Sequence, residues 1–98
     1  GLKTYKVLSG SMEPEYHVGS VVYVEKSSID DIEVGDVITF YINDNTVVTH
    51  RVIDKDNDTE SFHTKGDANE TEDGGSVAYD KVVGKVVLNV PYLGYILR

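Results

Sequence analysis

Val37-Ile38-Thr39-Phe40-Tyr41-Ile42, then Asn43-Asp44-Asn45, then Thr46-Val47-Val48-Thr49-His50-Arg51-Val52-Ile53 is the stretch that decides the fold. Two β-branched and aromatic runs flank three residues that tolerate positive φ and hydrogen-bond their own backbone, which predicts an antiparallel hairpin. Similar signals recur outward from it. Upstream, residues 4–8 and Val21-Val22-Tyr23-Val24 read as strands, separated by a turn at His17-Val18-Gly19-Ser20. Ile29 and Ile32 flank two aspartates in a segment long enough for one helical turn. Glu33-Val34-Gly35-Asp36 turns the chain into the hairpin. Downstream, residues 54–59 predict a turn and residues 60–65 a returning strand. Residues 66–76 form a loop rich in Gly, Asp, Asn and Thr, and residues 82–88 a last strand with Gly84 as a candidate bulge. Six short strands with no helix-period segment predict an all-β domain, compact and mostly antiparallel; periodicity does not separate a sandwich from a barrel.

The 98 residues fit one domain spanning 1–98, and 40% apolar content supplies a core. The net charge of -8 argues against a nucleic-acid partner, which needs clustered Lys and Arg. With no cysteine, disulfides, thiol catalysis and cysteine-based zinc sites are excluded. Asp54-Lys55-Asp56-Asn57-Asp58 alternates acids like the start of a calcium loop. But Thr59 stands where that loop needs glycine and Lys65 where it needs glutamate. The three histidines have no usual ligand spacing, so no metal and no cofactor is expected. No apolar run reaches the ~20 residues of a membrane span, yet the chain closes on Val90-Pro91-Tyr92-Leu93-Gly94-Tyr95-Ile96-Leu97-Arg98. That tail either packs on the core or approaches a membrane segment.

Chemistry concentrates elsewhere. Ser9-Gly10-Ser11-Met12-Glu13-Pro14 is a shaped turn that presents hydroxyls, unsuited to a helix or strand interior. A hydroxyl nucleophile needs a base within hydrogen-bond reach. His17, His50, His63 and Lys65 are candidates. His50 sits on a strand, with Thr49 and Arg51 facing the other side. A neutral lysine demands a pKa about three units below its usual value, whereas histidine titrates near neutrality unaided; this favours His50. A carboxylate at Asp67 or Asp73 can orient the imidazole.

Ser9-Gly10-Ser11-Met12-Glu13-Pro14, Gly35-Asp36-Val37-Ile38, Thr49-His50-Arg51-Val52 and Thr64-Lys65-Gly66-Asp67-Ala68-Asn69 with Asp73 stand in the order in which type I signal peptidases carry such motifs. The chain resembles that family from Val7 to Asp73, and most closely its endoplasmic-reticulum branch, found in eukaryotes, archaea and some Gram-positive bacteria. The histidine at position 50 is the mark of that branch; the common bacterial branch carries a lysine. The resemblance implies a minimal β-domain without the added subdomain of larger members, on the extracytoplasmic or lumenal face of a membrane and held there by segments outside this sequence. It implies Ser11 as nucleophile, His50 as general base, Asp67 or Asp73 completing the set, and an oxyanion hole from the Ser11 N–H and the Ser9 hydroxyl. The implied substrates are signal peptides of preproteins, read at small alternating residues, with Met12 and Tyr16 as candidate pocket residues. Membrane lipid is the other implied partner, and partner subunits are not disclosed. Two rivals remain: a catalytically idle domain that binds a secretion or pilus-assembly partner, and a self-cleaving repressor-type protease. The latter requires a lysine base and usually a DNA-binding segment.

Overall fold

The computed structural model describes residues 1–91. The expectations for the apolar tail from residue 92 onward lie outside the described residues. Seven strands form one antiparallel sheet: β1 Leu2–Lys6, β2 Val21–Glu25, β3 Val37–Asn43, β4 Thr46–Asp56, β5 Ser61–Lys65, β6 Val77–Ala78 and β7 Val82–Val90, in the order β1-β2-β7-β3-β4-β5-β6. Three single 3-10 turns, Gly10–Met12, Ile29–Asp31 and Tyr79–Lys81, complete it, with no α-helix among the described residues.

The hairpin closes more tightly than its three turn residues suggest. Asn43 pairs with Thr46, so only Asp44 and Asn45 bridge the strands, and the Asn43 side chain accepts the Asn45 N–H at 2.9 Å. β4 runs on past the turn expected at residues 54–59. It continues because Lys55 turns inward and donates to the carbonyls of Ile29 and Ile32 at 2.8 and 2.9 Å. Turn chemistry starts only at Asp56, whose carboxylate accepts the N–H groups of Asp58 and Thr59. This length makes β4 the pivot of the sheet: Arg51 is paired with Val37 of β3 on one side and Lys65 of β5 on the other. β6, which the sequence reading did not include, adds two residues at the edge through Phe62 and Ser61.

Ile32, Ile38, Phe40, Val52, Phe62 and Val77 form the buried core. Alternation along β3 and β4 points Ile38, Phe40 and Val52 to this face, and His50 with them. Each fully buried Ile, Val or Phe contributes about 1.5–3 kcal/mol. Such packing fixes the strand on which His50 stands. Gly84 marks a close approach: a Cβ there would stand 2.2 Å from the Glu25 carbonyl oxygen, so only glycine lets β7 pass β2. The bulge falls beside it, where Thr39 pairs with Gly84 but Phe40 with Val82, leaving Val83 unpaired.

Candidate active site

The serine turn leaves β1 and returns to β2, its base tied by Val7 N–H to the Ser20 carbonyl and Gly19 N–H to the Val7 carbonyl, both at 2.8 Å. Ser9 is extended and precedes a 3-10 turn over Gly10–Met12; its hydroxyl oxygen accepts the Ser11 N–H at 3.4 Å. Met12 is 2% exposed and anchors the turn, and its Sδ accepts the Asp67 N–H at 3.3 Å. The Ser11 carbonyl accepts the Ala68 N–H at 2.8 Å. The turn is therefore held from below by the loop that follows β5.

Across from it stands His50. Its Nε2 lies 3.0 Å from Ser11 Oγ, and its Nδ1 lies 2.6 Å from Asp73 Oδ2. An ionised carboxylate only accepts, so Nδ1 carries the ring proton and Nε2 presents its lone pair to the serine O–H. The His50 side chain is 11% exposed, and Phe40 meets the ring edge-on with centroids 6.4 Å apart. Ser9 Oγ lies 3.0 Å from Ser11 Oγ, so a second hydroxyl and the Ser11 N–H, which makes a long 3.4 Å bond to that hydroxyl, sit at the same spot. A hydroxyl, a base aimed at its proton and a carboxylate behind the base together equip this site for nucleophilic attack on a carbonyl carbon.

The two candidate aspartates have separate partners. Asp67 does not hydrogen-bond the imidazole; its two oxygens accept from Arg51 Nε and Nη2 at 2.9 and 2.8 Å. Arg51 also donates to the Gly35 carbonyl at 2.7 Å, joining three of the sequence motifs into one brace. These bonds from Arg51 hold the Asp67 carboxyl below its ordinary pKa of 3.8, and Arg51 is raised in turn. A lowered folded-state pKa contributes stability above the ordinary value, and that contribution disappears as pH falls through the lowered one. Asp67→Asn is accordingly expected to lose about 1 kcal/mol at neutral pH. Urea unfolding over a pH series should show the gap to wild type closing below pH 3.8.

Of the two pocket residues expected from the sequence, Met12 is too buried to offer much surface, and Tyr16 is half-buried near Arg51 and Asp67. Burial raises the Tyr16 phenol, opposed by the Arg51 charge. An apolar cleft of about 250 Å³ opens beside His50, lined by residues including Phe40, Val48, Thr64, Asp73 and Val77. Lys65, the rival base, donates to the Gly66 carbonyl at 3.2 Å. His17 lies on the serine turn, paired with Glu13. His63 sits opposite Asp54 on β5. Sequence reading gave no structural task to Arg51 or Thr64. For Thr64 a signal existed: it shares a strand face with Phe62, so its hydroxyl falls in the core and needs a partner.

Such a fold and site define a serine-hydrolase-like β-domain, and comparison with known proteins narrows the class. The family model described as signal peptidase, peptidase S26, matches residues 2–59, and the chain belongs to that family. It is 44% identical over 85 residues to signal peptidase I W of Bacillus subtilis (strain 168), covering 84% of this chain and 45% of that protein. It is 36% identical over 101 aligned positions to the signal peptidase complex catalytic subunit SEC11C of Homo sapiens, covering 92% and 53%. The chain thus spans about half the length of the curated relatives it matches. The resemblance drawn from the four motifs, including its endoplasmic-reticulum branch, holds.

Proposed function

We propose that this chain is the catalytic part of a membrane-anchored serine endopeptidase that removes N-terminal signal peptides from preproteins. Ser11 is the nucleophile, His50 the general base, and Asp73 the carboxylate that orients it. The observation that carries this reading is the hydrogen-bonded chain Ser11 Oγ–His50 Nε2 and His50 Nδ1–Asp73, at 3.0 and 2.6 Å.

In the reaction His50 Nε2 takes the Ser11 proton as Oγ bonds to the scissile carbonyl carbon. The oxyanion receives hydrogen bonds from the Ser11 N–H and the Ser9 hydroxyl. Losing one such donor costs about 10²–10³ in rate. The C–N bond then breaks, and the imidazolium gives its proton to the departing amine. Water repeats the attack on the ester, passing its proton through His50 and restoring the serine.

Substrate presentation also fits the sheet. Residues 46–50 of β4 pair with β3 alone, and β5 joins only from Arg51 onward. That free edge ends at His50. A signal-peptide segment added there as a strand points alternate side chains the same way, which suits a small-x-small cleavage site. Among the described residues no helix is long and apolar enough to cross a membrane.

The test is mass spectrometry of the full-length protein treated with a β-lactam-type acylating inhibitor. The expected result is a single adduct on the peptide containing Ser11, absent in Ser11→Ala together with preprotein cleavage. Undiminished cleavage by Ser11→Ala overturns the assignment. Absence of both adduct and cleavage in the wild type favours the idle partner-binding domain.

A further inference from the structure

We propose that Thr64 is a positioning residue that holds the Asp73 carboxylate against the His50 ring. The problem it solves is visible in the sequence. Asp73 lies in Glu70-Thr71-Glu72-Asp73-Gly74-Gly75, a polar loop whose two glycines give it little stiffness of its own. A carboxylate on such a loop does not keep its place unaided.

Thr64 grips it twice. Its hydroxyl donates to Asp73 Oδ2 at 2.6 Å, and its backbone carbonyl accepts the Asp73 N–H at 2.9 Å. The oxygen that Thr64 reaches is the one that takes the His50 Nδ1–H. An ionised carboxylate offers only lone pairs, so the Thr64 proton points at it. Thr64 itself is fully buried, and it is paired on β4 with Val52, also fully buried. A β-branched side chain in a paired strand has little χ1 freedom. The hydroxyl is therefore a rigid post at the end of the core. Valine would fill the same volume, so the oxygen is there for the bond it makes. The other nearby carboxylate, Asp67, is occupied by Arg51 and cannot take over the role.

The grip is a statement about the carboxylate and the ring; its effect on rate rests on the peptidase reading above. The experiment keeps the two apart. In the full-length protein labelled with 15N-histidine, the His50 Nδ1–H resonance reports the bond to Asp73. In Thr64→Val this resonance is expected to move upfield and to exchange faster with water. In preprotein cleavage, kcat should fall tenfold to a hundredfold, roughly the loss of one charge-assisted bond, with KM within about twofold. Thr64→Ser, which keeps the donor, should restore both. An unmoved resonance with unchanged kcat in Thr64→Val overturns the proposal. So does a Thr64→Ser variant as impaired as the valine one, since packing and not the hydroxyl would then be responsible. If the wild type cleaves nothing but Thr64→Val still moves the resonance, the peptidase reading fails and the grip stands.

Discussion

Replacing His50 by alanine in the full-length protein is expected to slow preprotein cleavage by about 10⁴-fold or more, because the serine then has no acceptor for its proton. Lys65→Ala is expected to retain most of the activity. The geometry behind this contrast is local. Arg51 and Lys65 are partners across β4 and β5, and Arg51 points away from the face that carries His50. The Lys65 ammonium donates to the Gly66 carbonyl. His50 has Nε2 on the Ser11 hydroxyl and Nδ1 on the Asp73 carboxylate. Initial rates of cleavage of a fluorogenic or radiolabelled preprotein for the two variants decide the matter. An active His50→Ala beside an inactive Lys65→Ala would reverse the assignment.

How much of this arrangement is legible in the chain alone, and what hides the rest? The central hairpin was legible because period-two alternation and Asn/Asp turn chemistry are local signals, and they carry the orientation of residue 50 with them. The position of His50 relative to the core follows from alternation with Val48 and Val52. The choice between Asp67 and Asp73 was not legible. It depends on a loop of eight residues closing between Thr64 and Asp73, and on Arg51 engaging Asp67. Neither fact has a sequence period. The overlong β4 was hidden for a similar reason. Lys55 looks like a surface residue in a polar stretch, but its ammonium is drawn inward by the carbonyls of a distant 3-10 turn. Met12 adjoins the serine in sequence, but its side chain is 2% exposed and its Sδ accepts the Asp67 N–H, a long-range contact with no local signal.

The same long-range loop leaves no room for a side chain at Gly66, next to Ser11. A Cβ built on Gly66 would stand 2.6 Å from the Ser11 carbonyl oxygen, 2.7 Å from Asn69 Nδ2 and 3.1 Å from Ser11 Cβ. The amide of Asn69 can swing aside, but the Ser11 carbonyl cannot, because it is fixed by the Ala68 N–H. Gly66→Ala must therefore push the serine turn away from β5, and with it the Oγ that now lies 3.0 Å from His50 Nε2. A displacement near 1 Å at a reacting atom costs about 10²-fold in rate. The core is untouched by this change, so stability should drop by only ~1–3 kcal/mol, the usual scale of local overpacking. Cleavage rates and thermal unfolding measured on the same preparation should thus diverge: about a hundredfold in kcat/KM, with a folded protein by circular dichroism. Gly74→Ala is the matched control, since a Cβ there meets nothing within 4 Å, and it should cleave at the wild-type rate. A Gly66→Ala protein as active as wild type would show that the serine turn is not held by the loop beneath it, and the account of how Ser11 is kept in line with His50 would have to be abandoned.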